Sequence, residues 1–452
     1  MLTRRDVLRA GWGSGLARLA TASPAATSVL TGADREFLAA QARKLIQMSR
    51  WPPGRSLGKW TNTTGCVVYV PSGNMGYPAM WVRDAVMMYG TGFVPASDIE
   101  DCIRLVAYAT QGASRWSVRP GADVPPYSVP DHVLFDKRSC FYPGACDGGA
   151  NQGGGKVGRY PPLDDAFYFI EAVYEHWKLT GKTSLFLGEV ETRTGRMLLH
   201  ELCGKVYAQT PADPATSLVA AGDTATENAK DWGFCDTVFK SGKLLFPSVL
   251  KYRAALQMAE VCGAAGLTKQ AGQYTAGAQR IRRGIPAAFF HPAPGGDGWL
   301  HSATGVGNQP DVWGSAFAVW AGVVDGKVAD AVARALRRAY RDRTAVRNGF
   351  VRQILTTDRT NNGFWQECHW QRGEYQNGGY WGVPAGWYVA ALNRVDPEAA
   401  AALLSEYISF LRKETDAAGI SMAWECVSPD SGKKRNNYYV ATIALPYAAL
   451  LA

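Results

Sequence analysis

A chain of 452 residues with 47% hydrophobic and only 19% charged residues has ample material for a large core. Its low charge and high apolar content exclude a disordered polymer. Its 49 glycines carry no three-residue period, and nine cysteines in this length are too sparse for a disulfide scaffold. Lys and Arg outnumber Asp and Glu by 48 to 39, a net +9, yet no basic stretch interleaved with aromatics marks a nucleic-acid surface.

At the start, Thr3–Arg9 (Thr-Arg-Arg-Asp-Val-Leu-Arg) reads as a twin-arginine export signal. A weakly apolar Gly/Ala stretch and the small-residue run Ala20–Ala26 follow it. The stretch is too short and too polar to span a bilayer. Residues 1–26 are therefore expected to be an export address, and residues 27–452 a single domain. The expected location is the periplasm or the outside of a bacterial cell. Arg4, Arg5, Arg9 and Arg18, less Asp6, account for a third of the net charge. What remains is weak support for an acidic polymer. No other apolar run approaches about 18 residues, so no membrane partner is expected.

Apolar residues recur at three- and four-residue spacing along most of the chain. The spacing predicts helices over Asp34–Ser49, Ala79–Gly90, Asp98–Gly112, Leu163–Thr180, Ser184–Leu202 and Pro247–Cys262. It predicts further helices over Thr268–Phe290, Asp311–Gly322, Gly326–Tyr340, Trp381–Leu392, Pro397–Arg412 and Tyr438–Leu451. Short turns such as Leu179–Lys182 alternate with long aromatic, Gly/Pro-rich loops. The loops include Thr61–Tyr77, Gly121–Tyr160, Asp223–Lys243 and Thr356–Tyr380. Long irregular loops in a compact domain are usually functional. Twelve helices with alternating connections make six helical hairpins in one all-α domain, with short strands allowed in the loops.

Cys140 and Cys146 flank a tight Phe-Tyr-Pro-Gly stretch and are placed to bridge in an oxidising compartment. No CxxC pair and no structural-zinc spacing occur, so no metal is expected. The Gly148–Gly155 run lacks the GxxxxGK[ST] pattern of a phosphate cradle, and no cofactor signature appears.

Four segments carry a resemblance. Arg159-Tyr160-Pro161-Pro162-Leu163 resembles the Arg-Ser-Gln-Pro-Pro segment of trehalases. Tyr375-Gln376-Asn377-Gly378-Gly379-Tyr380-Trp381 is similar to a segment before a late barrel helix in trehalases, processing α-glucosidases and rhamnosidases. Trp424-Glu425-Cys426-Val427-Ser428-Pro429-Asp430-Ser431-Gly432 resembles the Glu-x-Tyr-x-Pro-x-x-Gly segment of processing glucosidases. Gln309-Pro310-Asp311-Val312-Trp313-Gly314 is similar to a barrel-rim segment of the same enzymes. Together they cover most of the chain in the expected order. They imply an (α/α)6 barrel of the six-hairpin glycosidase superfamily.

That resemblance implies two carboxyls. Inverting hydrolysis of a glycoside needs an acid to protonate the leaving oxygen and a base to activate water from the opposite face. Glu425 stands where the resembling families carry the base. Asp236, in Asp231-Trp232-Gly233-Phe234-Cys235-Asp236-Thr237, stands near the Gly-Trp-Asp-Phe region that carries the acid in trehalases. The register is imperfect, so Asp231 is its rival and Asp84 a further alternate. Met80-Trp81-Val82-Arg83-Asp84 resembles the Trp-Asp segment that lines a terminal-sugar pocket. Asp84 would accept from sugar hydroxyls, and Arg83 would bind a carboxylate or pair with Asp84. Helix capping is the alternative role for Asp164 or Asp165. Further candidate sugar contacts are Trp232, Trp313, Glu367, His369, Gln376, Asn377, Trp381 and Trp424. Amides offer paired donors and acceptors, and indole faces suit pyranose C–H faces.

The expected protein is thus an exported glycoside hydrolase on an oligo- or polysaccharide. It is expected to be inverting and exo-acting, with an α-linkage favoured by the resemblance. Two alternatives stay open. One is a polysaccharide lyase or glycosyl phosphorylase on the same barrel, with Tyr375 or Tyr380 as a lyase base. The other is a non-catalytic carbohydrate-binding protein.

Overall fold

The computed structural model describes residues 29–119, 122–141, 146–147, 161–222 and 235–452. The expected export signal, Arg159-Tyr160, the glycine run from 148, Asp231 and Trp232 lie outside the described residues.

The described helices are α1 (Gly32–Ser49), α2 (Val82–Val86), α3 (Ala96–Ala109), α4 (Asp165–Thr180), α5 (Ser184–Leu187), α6 (Leu199–Gln209) and α7 (Leu245–Ala264). They continue with α8 (Thr268–Phe289), α9 (Val312–Trp320), α10 (Gly326–Arg341), α11 (Ala385–Asn393), α12 (Pro397–Lys413) and α13 (Ala441–Leu451). Their starts obey local chemistry. Thr31 accepts from the backbone N–H of Asp34, and Asp311 from that of Gly314. Asp396 accepts from Ala399, with Pro397 at the first turn where a missing N–H costs nothing.

Composition separates two rings. In α9 every residue from Val312 to Ala318 is buried, and α11 and α13 are nearly as enclosed. Helices apolar all round belong inside. By contrast α10 buries Ala329, Val332, Ala333, Leu336 and Ala339 on one face and keeps Arg338 and Arg341 for the other. The contacts follow: α2 packs on α4, α4 on α7, α7 on α9, α9 on α11 and α11 on α13. Helix α13 closes the circle against the 3-10 turn Tyr89–Thr91 that continues α2. The outer helices α1, α3, α6, α8, α10 and α12 alternate with these inner six along the chain. This is an (α/α)6 barrel. The inner ring needs close backbones: a Cβ at Gly386 of α11 would lie 2.7 Å from the Cα of Pro446 on α13.

Two small sheets sit on the barrel rim. The first runs β1 (Met80–Trp81), β2 (His132–Val133) and β3 (Ser139–Cys140), all antiparallel. The second has five strands in chain order: β4 (Val346–Arg347), β5 (Phe350–Arg352), β6 (Tyr380–Trp381), β7 (Cys426–Val427) and β8 (Lys434–Arg435). Cys140 and Cys146 form a disulfide. No helix among the described residues is long and apolar enough to cross a membrane.

Two predicted helices need correction. The expected helix over Ala79–Gly90 is a strand, one and a half turns of helix and a 3-10 turn. The expected helix over Ser184–Leu202 is broken by an antiparallel hairpin, Glu189–Thr192 against Gly195–Leu198. There Val190 is buried between exposed Glu189 and Glu191, a period of two that favours a strand.

Candidate active site

A cavity of about 50 Å³ opens at the rim where the two sheets meet the inner ring. Its walls include Tyr77, Trp81, Asp84, Asp236, Trp313, Tyr375, Gln376, Trp381, Glu425 and Tyr439.

Glu425 precedes β7 and is 2% exposed. Its backbone N–H is shared between the carbonyls of Arg435 and Asn436, both at 3.1 Å. Three side chains donate to its carboxylate. Tyr77 Oη lies 2.9 Å from both oxygens, Tyr375 Oη 2.8 Å from Oε1, and Asn436 Nδ2 bonds Oε2. Burial pushes the Glu425 carboxyl up to about 7, although these donors pull it down; nearby Asp84 adds to the rise. Four residues in the loops that carry Glu425 and its donors hold left-handed backbone without being glycine: Tyr375 at φ 48°, Ala423 at 38°, Asn436 at 42° and Tyr438 at 57°. Each costs roughly 1–3 kcal/mol, which the surrounding packing must sustain to hold Glu425 and its donors in place.

Asp84, in α2, receives a hydrogen bond from Tyr439 Oη. Burial raises it to about 6, with Tyr439 and Arg83 opposing and Asp131 and Asp236 contributing. Asp236 is also raised, first by burial, with Arg83 and a hydrogen bond from the Gln376 side chain opposing. Its Oδ1 is shut off from solvent and has no hydrogen-bond partner. The Gln376 carbonyl Oε1 accepts from Thr237 N at 3.0 Å and Thr237 Oγ1 at 2.6 Å. That occupancy leaves the amide nitrogen for Asp236, so Gln376 and Thr237 together fix the orientation of that carboxyl.

The aromatic wall is made of two runs of touching rings. Trp313 meets Trp381 edge-on at 5.7 Å, Trp381 meets Tyr375 at 4.8 Å, and Trp81 meets Tyr77 at 5.1 Å. The Trp313 indole N–H donates to the Val351 carbonyl, which turns its ring edge away from solvent.

Arg83 does not pair with Asp84. Its guanidinium meets Asp164 twice, at 2.9 and 3.1 Å, beneath the cavity. Neither Asp164 nor Asp165 caps α4 with its side chain. Asp165 is fully buried with both oxygens unpartnered, and burial beside Asp164 drives its carboxyl well above the usual range. Arg83→Met would strand a carboxylate. The expected loss is about 3–5 kcal/mol of stability, read as a lowered midpoint in urea with circular dichroism.

Four expected contacts lie elsewhere. Glu367 and His369 are exposed and do not line the cavity. Asn377 is spent on the loop: its Oδ1 accepts from Trp365 N, and its Nδ2 donates to the Trp370 carbonyl. Trp424 turns its N–H to Glu414 and is not part of the wall. The sequence reading also missed Tyr77, Tyr439, Asn436 and Thr237. Each is a single polar residue in a loop; Tyr77, Tyr439 and Thr237 reach their partners across long chain separations such as the 348 residues between Tyr77 and Glu425, and Asn436 reaches Glu425 across a loop of 11.

The barrel and its rim pocket define the fold class: the (α/α)6 fold of the six-hairpin glycosidases. A glycosidase with one glutamate-to-alanine substitution superposes with a TM-score of 0.54 at 14% identity, over 95% of this chain and 98% of that one. The GH63 mannosylglycerate hydrolase of Thermus thermophilus, solved in complex with glucose, gives 0.51 at 12% identity over 91% and 99%. The glucoamylase of Hormoconis resinae gives 0.54 at 12% identity over 92% and 74%. At these identities the likeness is one of fold. No protein-family model matches the chain, and no curated protein matches it in sequence.

Proposed function

We propose that the chain is an exported glycoside hydrolase that inverts the anomeric centre and acts on the terminal sugar of an α-linked oligo- or polysaccharide. One observation carries the reading: three carboxyls, Glu425, Asp236 and Asp84, share one aromatic-walled pocket and are all raised by burial. Clustered, perturbed carboxyls in a cleft are what acid–base chemistry requires. Glu425, held by three donors that favour its anion, is the base that activates water. Asp236, with one oxygen unpartnered, is the acid that protonates the leaving oxygen. Asp84 and the Trp81, Trp313 and Trp381 rings hold the terminal sugar. A small, aromatic-walled pocket at the rim favours exo-action, and the twin-arginine reading of the N-terminus supports export.

A lyase reading is disfavoured by Tyr375. Its hydroxyl is committed to Glu425, and burial beside that carboxylate makes it harder to ionise, the reverse of what a tyrosine base needs. The test is a screen of oligosaccharides followed by anomer-resolved NMR. Inverted product supports the proposal; a retained anomer or an unsaturated product overturns it.

Tyr77→Phe probes the base. Removing a donor that stabilises the carboxylate raises the Glu425 pKa further. The acid limb of kcat/KM, expected near pH 7, should therefore move up by about one unit, with the loss of activity larger at pH 6 than at pH 8. An unmoved limb would take Glu425 out of that role.

A further inference from the structure

Behind the pocket, one row of the first rim sheet gathers three metal-type ligands. His132 on β2 is the cross-strand partner of Trp81 on β1 and of Cys140 on β3, and Cys140 faces Cys146. A ring nitrogen of His132 and both Sγ atoms lie within 4.8 Å of one another, and all three residues are buried. His132 is 3% exposed. Its Nδ1 sits 2.7 Å from Asp131 Oδ2, while its Nε2 has no hydrogen-bond partner. Asp131 can only accept as a carboxylate, so it holds the proton on Nδ1 and leaves the Nε2 lone pair open. An imidazole oriented by a carboxylate on one nitrogen and open on the other is how metal-ligating histidines are held.

We propose that His132, Cys140 and Cys146 form a binding site for a thiophilic divalent cation such as Zn2+ when the cysteines are reduced, and that metal and disulfide are alternative states of this one site. The interconversion balances. A thiol or dithiol reductant gives two electrons and two protons to the Cys140–Cys146 bond and yields two thiols. Coordination then converts them to thiolates and releases two protons. One neutral nitrogen and two thiolates make three of the four positions of a tetrahedral zinc site. The sequence spacing gave no hint of it, because sheet register rather than a CxxC run brings the ligands together. The inference is independent of what the sugar pocket hydrolyses.

Cobalt(II) is the probe. The full chain, reduced by a phosphine without oxygen and freed of excess reductant, is titrated with Co2+. One equivalent is expected to bind with thiolate-to-cobalt charge-transfer absorption, and the oxidised chain should show none. Cys146→Ser leaves the seven other free cysteines untouched and should abolish the band. Asp131→Asn, which keeps the three ligands, should weaken binding about 10–100-fold. The proposal is overturned if reduced and oxidised chains bind Co2+ alike. It is equally overturned if Cys146→Ser keeps the band, since the other thiols then hold the ion.

Discussion

Replacing Glu425 by Gln is expected to lower kcat by about 1000-fold or more on any glycoside the protein hydrolyses, while sugar binding is kept. The physical case rests on isolation. The side chain is buried, and its three donors from Tyr77, Tyr375 and Asn436 position one charge against one face of the pocket. Glutamine matches the shape but cannot take a proton from water. It also turns an amide N–H2 toward groups that are themselves donors, which should cost about 1–3 kcal/mol of stability. The variant should thus remain folded by near-ultraviolet circular dichroism and bind sugar within a few-fold by calorimetry. Near-normal turnover would remove Glu425 from the mechanism.

Asp236→Asn should lose about as much, but in a way that depends on the leaving group. A sugar alkoxide leaves poorly and needs the proton assigned to Asp236 in the proposed mechanism. A fluoride or a dinitrophenolate leaves without one. The variant should therefore be nearly inactive on oligosaccharides and recover most of its rate on such activated glycosides, whereas Glu425→Gln should stay inactive on both. Gln376 bonds the Asp236 side chain and Thr237 locks Gln376, so the asparagine remains well placed and misorientation does not explain the loss. A uniform loss across leaving groups would transfer the acid role to Asp84, which burial raises to about 6 in the same cavity.

The barrel was legible because helices of this length repeat their apolar face many times. The outer helices α3, α8, α10 and α12 show this periodicity clearly, while their inner partners α7 and α11 read as apolar runs. Elements of one or two turns were not legible, since a short run such as Met80–Val86 fits a strand, a helix or both. Asp84, Asp236 and Glu425, which line one cavity, were legible as candidates because their segments resemble glycosidase motifs and stand among aromatics. The same cue misled at Glu367 and His369, where Trp365 turns inward and its neighbours turn to solvent. It misled at Asn377 too, whose amide completes its own loop. Tyr77, Tyr439 and Asn436 have no local signature at all. Tyr77 and Tyr439 matter only because the ring of helices closes and brings the two ends of the chain together, Tyr77 onto Glu425 and Tyr439 onto Asp84.

The tightness of the rim pocket sets a limit on speed. Its 50 Å³ is well under the roughly 300 Å³ at which small-molecule sites begin, so a pyranose enters only when the walls part. Opening then becomes a step of its own in front of binding. In stopped-flow mixing of Glu425→Gln with its sugar, the observed rate should rise with concentration and then level off at the opening rate. A pocket that is always open would give a straight line.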